Sequence, residues 1–245
     1  MKAIAIPTCD RPHYLERVLE SVRAAMAHSP GWTIVFSCEP HPVTIEMARR
    51  VDWANTVVSR NVMRRGIWTN TFLAIDSAVA LRAEFVLYLE DDNVVSEDAL
   101  VMADQFSDAG LDGLIALRRP ERALDAGRPA AVSRCQGGLL GDGFGFPVAL
   151  WPVLRAAWFA WSPRVDRRMW DWAVEAATVE TVPYWRPMVN RSRNIGTHGN
   201  HGHAPLPLDP NHFSPAYEGP PVRRFEFVEQ PSTVNPIVNP APLCY

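Results

Sequence analysis

Through the first 117 positions, short apolar runs alternate with longer stretches in which apolar residues recur every three or four positions. This alternation predicts strand–helix units building a largely parallel sheet with helices on its faces. Lys2–Pro7 reads as the first strand, and Pro12 opens a helix on which Leu15, Val18, Leu19 and Val22 share one face, with Asp10 as candidate N-cap. Trp32–Cys38 reads as a second strand, Thr44–Val51 as a short helix and Asn55–Val58 as a third strand. A helix over Thr69–Leu81 follows, with Phe72, Ile75 and Val79 turned inward. Phe85–Leu89 is continuously apolar, as expected of a strand buried on both faces. A helix over Glu97–Phe106 and a strand over Gly113–Leu117 complete this half.

Beyond Leu117 the periodicity weakens. Arg118–Pro129 is charged and contains proline, which predicts a surface excursion, and Ala131–Arg134 predicts a strand. Gly137–Pro147 holds too many glycines for the interior of an element and is expected to be a loop that brings backbone close to something. Helical spacing returns over Leu150–Trp161 and Met169–Ala177. From Ala204 onward prolines are frequent and no long periodic segment survives, so residues 204–245 are expected to wrap a surface in extended form or to lack order in part. The pattern divides the chain into one α/β domain over 1–203, with halves 1–117 and 118–203, and a Pro-rich tail over 204–245.

Composition supports a single well-packed domain. With 245 residues, 47% hydrophobic and 21% charged, the chain can bury one large core, which excludes disorder and coiled coil as general descriptions. A formal net charge of -3 gives no overall basic excess of the kind that accompanies nucleic-acid binding. Cys9, Cys38, Cys135 and Cys244 are scattered without C-x-x-C spacing, which argues against structural zinc and a disulfide framework. The N-terminal apolar run is too short for a secretory signal or membrane anchor, and a cytoplasmic protein is expected.

Three positions carry candidate chemistry. Glu90-Asp91-Asp92 ends the apolar strand, where open α/β sheets place ligands. Adjacent carboxylates repel, and Mg²⁺ or Mn²⁺ would relieve that repulsion while also binding phosphates; an acidic turn in which Asp92-Asn93 caps the next segment is the plainer alternative. Asp10 and Arg11 follow the first strand, where Arg11 suits a phosphate or base edge and Asp10 a ring N–H or ribose hydroxyl, against simple helix capping and a surface ion pair. Neither a P-loop nor a dinucleotide fingerprint follows that strand. Arg191–His203 combines glycines with His198, His201 and His203; it reads as a loop over a diphosphate, with Arg191, Arg193, Thr197 or His198 on phosphate, or as a zinc site.

Taken in order, Cys9-Asp10-Arg11, Leu89-Glu90-Asp91-Asp92, Gly143–Phe146 leading to Leu150-Trp151, then Trp170-Asp171-Trp172, Arg186-Pro187 and Gly196–Gly199 resemble GT-A fold glycosyltransferases, nearest the N-acetylglucosaminyltransferase I group. The resemblance covers about residues 4–200. It implies a metal-dependent inverting transfer from a nucleoside diphosphate sugar, UDP-GlcNAc among the candidates. It also implies roles: Asp10, Arg11 and Glu39 at the base, Glu90 at the donor sugar, Asp91 at the ribose, Asp92 on the metal and Asp171 as general base. Trp170 and Trp172 would partly desolvate Asp171 and raise its proton affinity, and their indoles can stack on sugars. Unlike the family's anchored Golgi enzymes, this chain is expected to act in the cytosol of a bacterium or phage-infected cell. Its acceptor would be a glycan, a metabolite or a modified DNA base, the last suggested by Arg64-Arg65, Arg167-Arg168 and Arg223-Arg224. A nucleotidyltransferase and a non-catalytic carbohydrate-binding protein are the competing classes.

Overall fold

The computed structural model describes residues 1–118, 127–135, 143–159, 170–196 and 216–229. The first half follows the predicted alternation closely. Strands β1 (Lys2–Thr8), β2 (Thr33–Cys38), β3 (Asn55–Arg60) and β4 (Phe85–Leu89) alternate with helices α1 (Pro12–Met26), α2 (Pro42–Arg49) and α3 (Gly66–Ala80). All four strands run parallel, with β1 between β2 and β4. Alternate residues of β1 serve opposite faces, as the two-residue period requires. Ile4 and Ile6 pack with Leu15, Val18 and Val22 of α1, whereas Ala3 and Ala5 join Ala74, Ile75 and Ala78 of α3. Small alanines on both sides of that second contact let α3 lie close to the sheet. The buried face of α3 is therefore Asn70, Thr71, Ala74, Ile75 and Ala78, and Phe72 and Val79 flank it half-buried.

After β4 come a short strand β5 (Asn93–Val95), α4 (Ala99–Asp108), β6 (Leu114–Ala116), β7 (Ala131–Cys135) and β8 (Gly143–Pro147). Helices α5 (Trp151–Phe159) and α6 (Trp170–Thr178) and strands β9 (Tyr184–Pro187), β10 (Ser192–Asn194) and β11 (Glu226–Val228) complete the described elements. Their sheet has nine strands in the order β11-β7-β9-β6-β8-β4-β1-β2-β3, and β10 pairs separately with β5.

Two expectations change here. The glycine run is not all loop: its end, β8, lies between β4 and β6 and runs antiparallel to both. Its glycines answer to packing, because a Cβ on Gly145 would lie 2.7 Å from Cζ of Phe85 and one on Gly143 2.7 Å from Nδ2 of Asn93. The stretch after residue 203 is also more than a tail: within it β11 adds a parallel strand to β7, and Phe225 is buried in the core. No described helix is long and apolar enough to cross a membrane.

Candidate active site

The parallel strands β1, β2 and β4 end on one edge, and buried side-chain amides and hydroxyls fix that edge. Asn70 of α3 donates from Nδ2 to the Thr8 carbonyl at 3.1 Å, while its Oδ1 accepts from Ser37 Oγ at 2.7 Å and Asn61 Nδ2 at 2.8 Å. One buried side chain thus ties α3 to the ends of β1 and β2 and the residue after β3. Such satisfied networks hold geometry because each member left unpaired would carry a desolvation penalty. Glu39, just past β2, accepts from the backbone N–H groups of Arg65 and Gly66 at 2.7–2.9 Å, neutralising the amide-rich start of α3. Its carboxylate is occupied there with backbone.

Asp91 and Asp92 are buried immediately beyond β4. Arg11 reaches across from the β1–α1 junction and clamps both: Nη2 donates to Asp91 Oδ1, and Nη1 to Asp92 Oδ2 at 2.5 Å. The outer oxygens are held by other donors. Cys9 N–H donates to Asp91 Oδ2 at 2.9 Å, and Asn194 Nδ2 approaches Asp92 Oδ1 at 3.4 Å. Burial, reinforced by the charge of Asp92, pushes the Asp91 carboxyl up to about 6 against the pull of Arg11. Burial would lower the Arg11 pKa, but the charges of Asp91, Asp92 and Glu90 more than offset it, so the guanidinium stays charged.

Glu90 is half-buried and accepts from the Tyr88 hydroxyl at 3.4 Å. That phenol is fully buried and lies well above its ordinary pKa, chiefly through desolvation, with the charges of Glu90, Asp171 and Asp91 adding to it. Asp171 is half-buried in the first turn of α6, and its charge is felt at the Tyr88 phenol. Trp170 sets α6 in place: it meets the Tyr88 ring edge-on at 5.3 Å and stacks on Trp158 at 4.5 Å. It is buried in that stack, so it serves packing and offers no sugar platform.

The remaining candidates divide. Asp10 does not cap α1; that position falls to Arg11, and Asp10 instead meets Arg64 at 3.4 Å. Arg191 does not join the acid cluster. It is fully buried beside Asp98, 3.0 Å away, and its Nη atoms donate to the carbonyls of Val189 and Pro129, which leaves no free face for phosphate. Arg193, half-buried on β10 opposite Val94, stays near the site through its neighbour Asn194. Thr197, His198, His201, His203 and Trp172's side chain lie outside the described residues.

Sequence reasoning missed Asn194, Tyr88 and the particular function of Gly196. Ile195 N–H donates to the Asp92 carbonyl at 2.8 Å, and Gly196 follows directly against the Asp92 side chain. A Cβ on Gly196 would overlap Asp92 Oδ2 and lie 2.9 Å from its Cγ. The pair of glycine and short polar residue, Asn194-x-Gly196, was the available signal.

The residues fit a hard divalent cation in two respects. The acid pair already holds a cation, the guanidinium, and its donors are hard carboxylate oxygens, Asp92 Oδ2 lying so close against the Gly196 backbone that a side chain there would overlap it. Among the described residues no group of three His, Cys, Asp or Glu side chains forms a ready-made cage. A bound ion would therefore take its other ligands from phosphate and water, as Mg²⁺ and Mn²⁺ commonly do.

Among solved structures, the chain is similar to residues 1–349 of S. aureus TarS, at 12% identity and a TM-score of 0.50, over 76% of this chain and 60% of that one. The chain has a GT-A-type fold. Within this GT-A-type sheet the acid cluster occupies the C-terminal edge of the parallel half, where such α/β folds place ligands. Weaker likenesses are to TarS in complex with UDP-GlcNAc, at 14% identity, 76% and 58% coverage and TM-score 0.48. A mannosyltransferase from Pyrobaculum calidifontis, in complex with GDP-Man and Mn²⁺, gives 14% identity, 62% and 45% coverage and TM-score 0.47. The chain spans about 60% of the length of the TarS fragment it matches. No protein-family model and no curated protein matches the sequence.

Proposed function

We propose that this chain is a metal-dependent, inverting glycosyltransferase that moves a sugar from a UDP-linked donor to an acceptor hydroxyl. The observation that carries the reading is the gathering of Glu90, Asp91 and Asp92 on one edge of a GT-A-type sheet, with Arg11 clamping the two aspartates. The choice of a UDP sugar, UDP-GlcNAc included, and of inversion follows the motif resemblance to the N-acetylglucosaminyltransferase I group.

In this reading Asp92 holds Mn²⁺ or Mg²⁺, which when bound neutralises the charge left on the departing nucleoside diphosphate. Asp91 sits one residue earlier, anchored by Cys9 N–H and ready to accept a donor hydroxyl. Glu90 faces the donor sugar, braced by Tyr88. Asp171 accepts the proton of the acceptor hydroxyl as that oxygen attacks the anomeric carbon from the face opposite the leaving diphosphate. No covalent intermediate is needed, and positioning of both substrates supplies much of the rate. Asp10 lies at the β1 end, where in this reading a base would rest, while Glu39 at the β2 end spends its carboxylate on the Arg65 and Gly66 amides.

Two variants separate the roles. Asp92→Ala is expected to abolish the Mn²⁺-dependent part of UDP binding in a calorimetric titration. Asp171→Asn is expected to keep UDP affinity and lower turnover by roughly 10²–10⁴. Undiminished Mn²⁺-dependent UDP affinity in Asp92→Ala would contradict the assignment. A nucleotidyltransferase would instead release pyrophosphate from a nucleoside triphosphate, and a carbohydrate-binding protein would ignore metal and nucleotide alike.

A further inference from the structure

We infer that Arg11 is a resident counter-cation of the Asp91–Asp92 pair that a divalent ion must displace, so that metal binding is coupled to arrival of the donor diphosphate, which receives the released guanidinium. This rests on the glycosyltransferase reading above and adds a regulation of its metal site.

Of the four carboxylate oxygens, Asp91 Oδ2 is taken by Cys9 N–H and Asp92 Oδ1 is approached by Asn194 Nδ2. The other two, Asp91 Oδ1 and Asp92 Oδ2, accept the two Nη atoms of Arg11. Those are the oxygens that face a common cation, and a side chain at residue 196 would overlap Asp92 Oδ2. A divalent ion on Asp92 Oδ2 would sit against a guanidinium bonded to the same atom. At that separation like charges repel strongly at a protein edge, and a divalent ion doubles the repulsion that a unit charge would feel. Both cations cannot keep the site.

The charge count favours exchange over permanent pairing. One guanidinium faces two buried aspartates, with Glu90 adding to the same field, so the cluster stays short of positive charge. Arg11 can also leave. Its side chain is 20% exposed, it occupies the junction between β1 and α1 rather than a helix interior, and its own side chain makes no capping bond. The Tyr14 ring, 5.8 Å from the guanidinium carbon, gives a second cation-accepting surface one turn along α1. A diphosphate brought to the ion offers a stronger partner still, since guanidinium and phosphate pair in bidentate fashion. Ion and diphosphate together then replace what Arg11 alone supplied.

The test compares Mn²⁺ binding by wild-type protein and Arg11→Gln, followed by electron paramagnetic resonance of free Mn²⁺, each with and without UDP. The expected result is weak Mn²⁺ binding by wild type alone, at least about tenfold tightening on Arg11→Gln, and a smaller UDP enhancement in the variant than in wild type. Equal or weaker Mn²⁺ binding by a folded Arg11→Gln would overturn the exchange while leaving the glycosyltransferase reading intact. No Mn²⁺ binding by either protein, with UDP present, would overturn both. Should Arg11→Gln not fold, the arginine Nε–H signals of the wild type decide: Arg11 is expected to shift on addition of Mg²⁺ with UDP, and an unmoved signal under saturating UDP and Mg²⁺ overturns the exchange.

Discussion

Arg191 and Arg11 both hold aspartates, yet they sit in opposite kinds of surroundings. Arg191 and Asp98 are 0% exposed, and every neighbour is arranged to keep them paired. Asp98 also accepts from Ser96 Oγ at 2.6 Å and Val222 N–H at 3.0 Å; the Arg191 guanidinium lies over Tyr217 and Phe225 at 4.5 and 5.2 Å. One charge meets one charge, and the pair fastens α4, β10 and the 216–229 segment together. Burial lowers the Arg191 pKa while Asp98 opposes the shift, as expected where desolvation is deep and a single counter-charge answers it. Arg11, by contrast, is partly exposed and faces two aspartates. Balanced, sealed pairs lock a fold together; an unbalanced pair at a sheet edge is free to trade its cation. The difference lies in the charge count and access, not in residue type.

The comparison can be broken from the Arg191 side. Arg191→Met leaves Asp98 buried without its partner and is expected to lower unfolding free energy by roughly 3–5 kcal/mol in urea titration, with no recovery on adding Mn²⁺. Arg11→Gln is expected to destabilise by about 1–3 kcal/mol, because Asp91 and Asp92 then face each other undiluted, and Mn²⁺ should restore most of that loss in the same titration. Recovery of the first variant by Mn²⁺, or failure to recover the second, would erase the distinction. Gly196→Ala sharpens it at the smallest scale. Its methyl group overlaps Asp92, so a loss of about 1–2 kcal/mol in stability is expected, accompanied by weakened Mn²⁺-dependent UDP binding, whereas the Arg191–Asp98 pair should be untouched.

How much of this could be read from the chain depended on whether each residue's partners lie nearby in sequence. The strand Phe85–Leu89 and its acid terminus were legible because a buried parallel strand is uniformly apolar and local. Helix α1 was legible from its periodicity, but its start was not: Asp10 is the favoured local cap, whereas the cap position falls to Arg11, whose side chain reaches Asp91 and Asp92 some 80 residues away. Strand β8 was hidden because glycine ordinarily marks a loop; its reason for being glycine is the Phe85 ring on the neighbouring strand. Strands β5, β9, β10 and β11 are each three or four residues long, too short to express a period. Arg191 was misplaced for a related reason: an arginine next to a glycine-rich stretch reads as a phosphate ligand until Asp98, Tyr217 and Phe225 close around it. The tail's proline content concealed a strand edge and one buried phenylalanine in the same way.

Calorimetric titration of UDP into the wild-type protein, with Mn²⁺ and then with the metal chelated, tests the central claim most directly. The account predicts an affinity at least about tenfold higher with Mn²⁺ and a metal-dependent difference that disappears in Asp92→Ala. Equal UDP affinity in both conditions, or a metal effect that survives in Asp92→Ala, would contradict it.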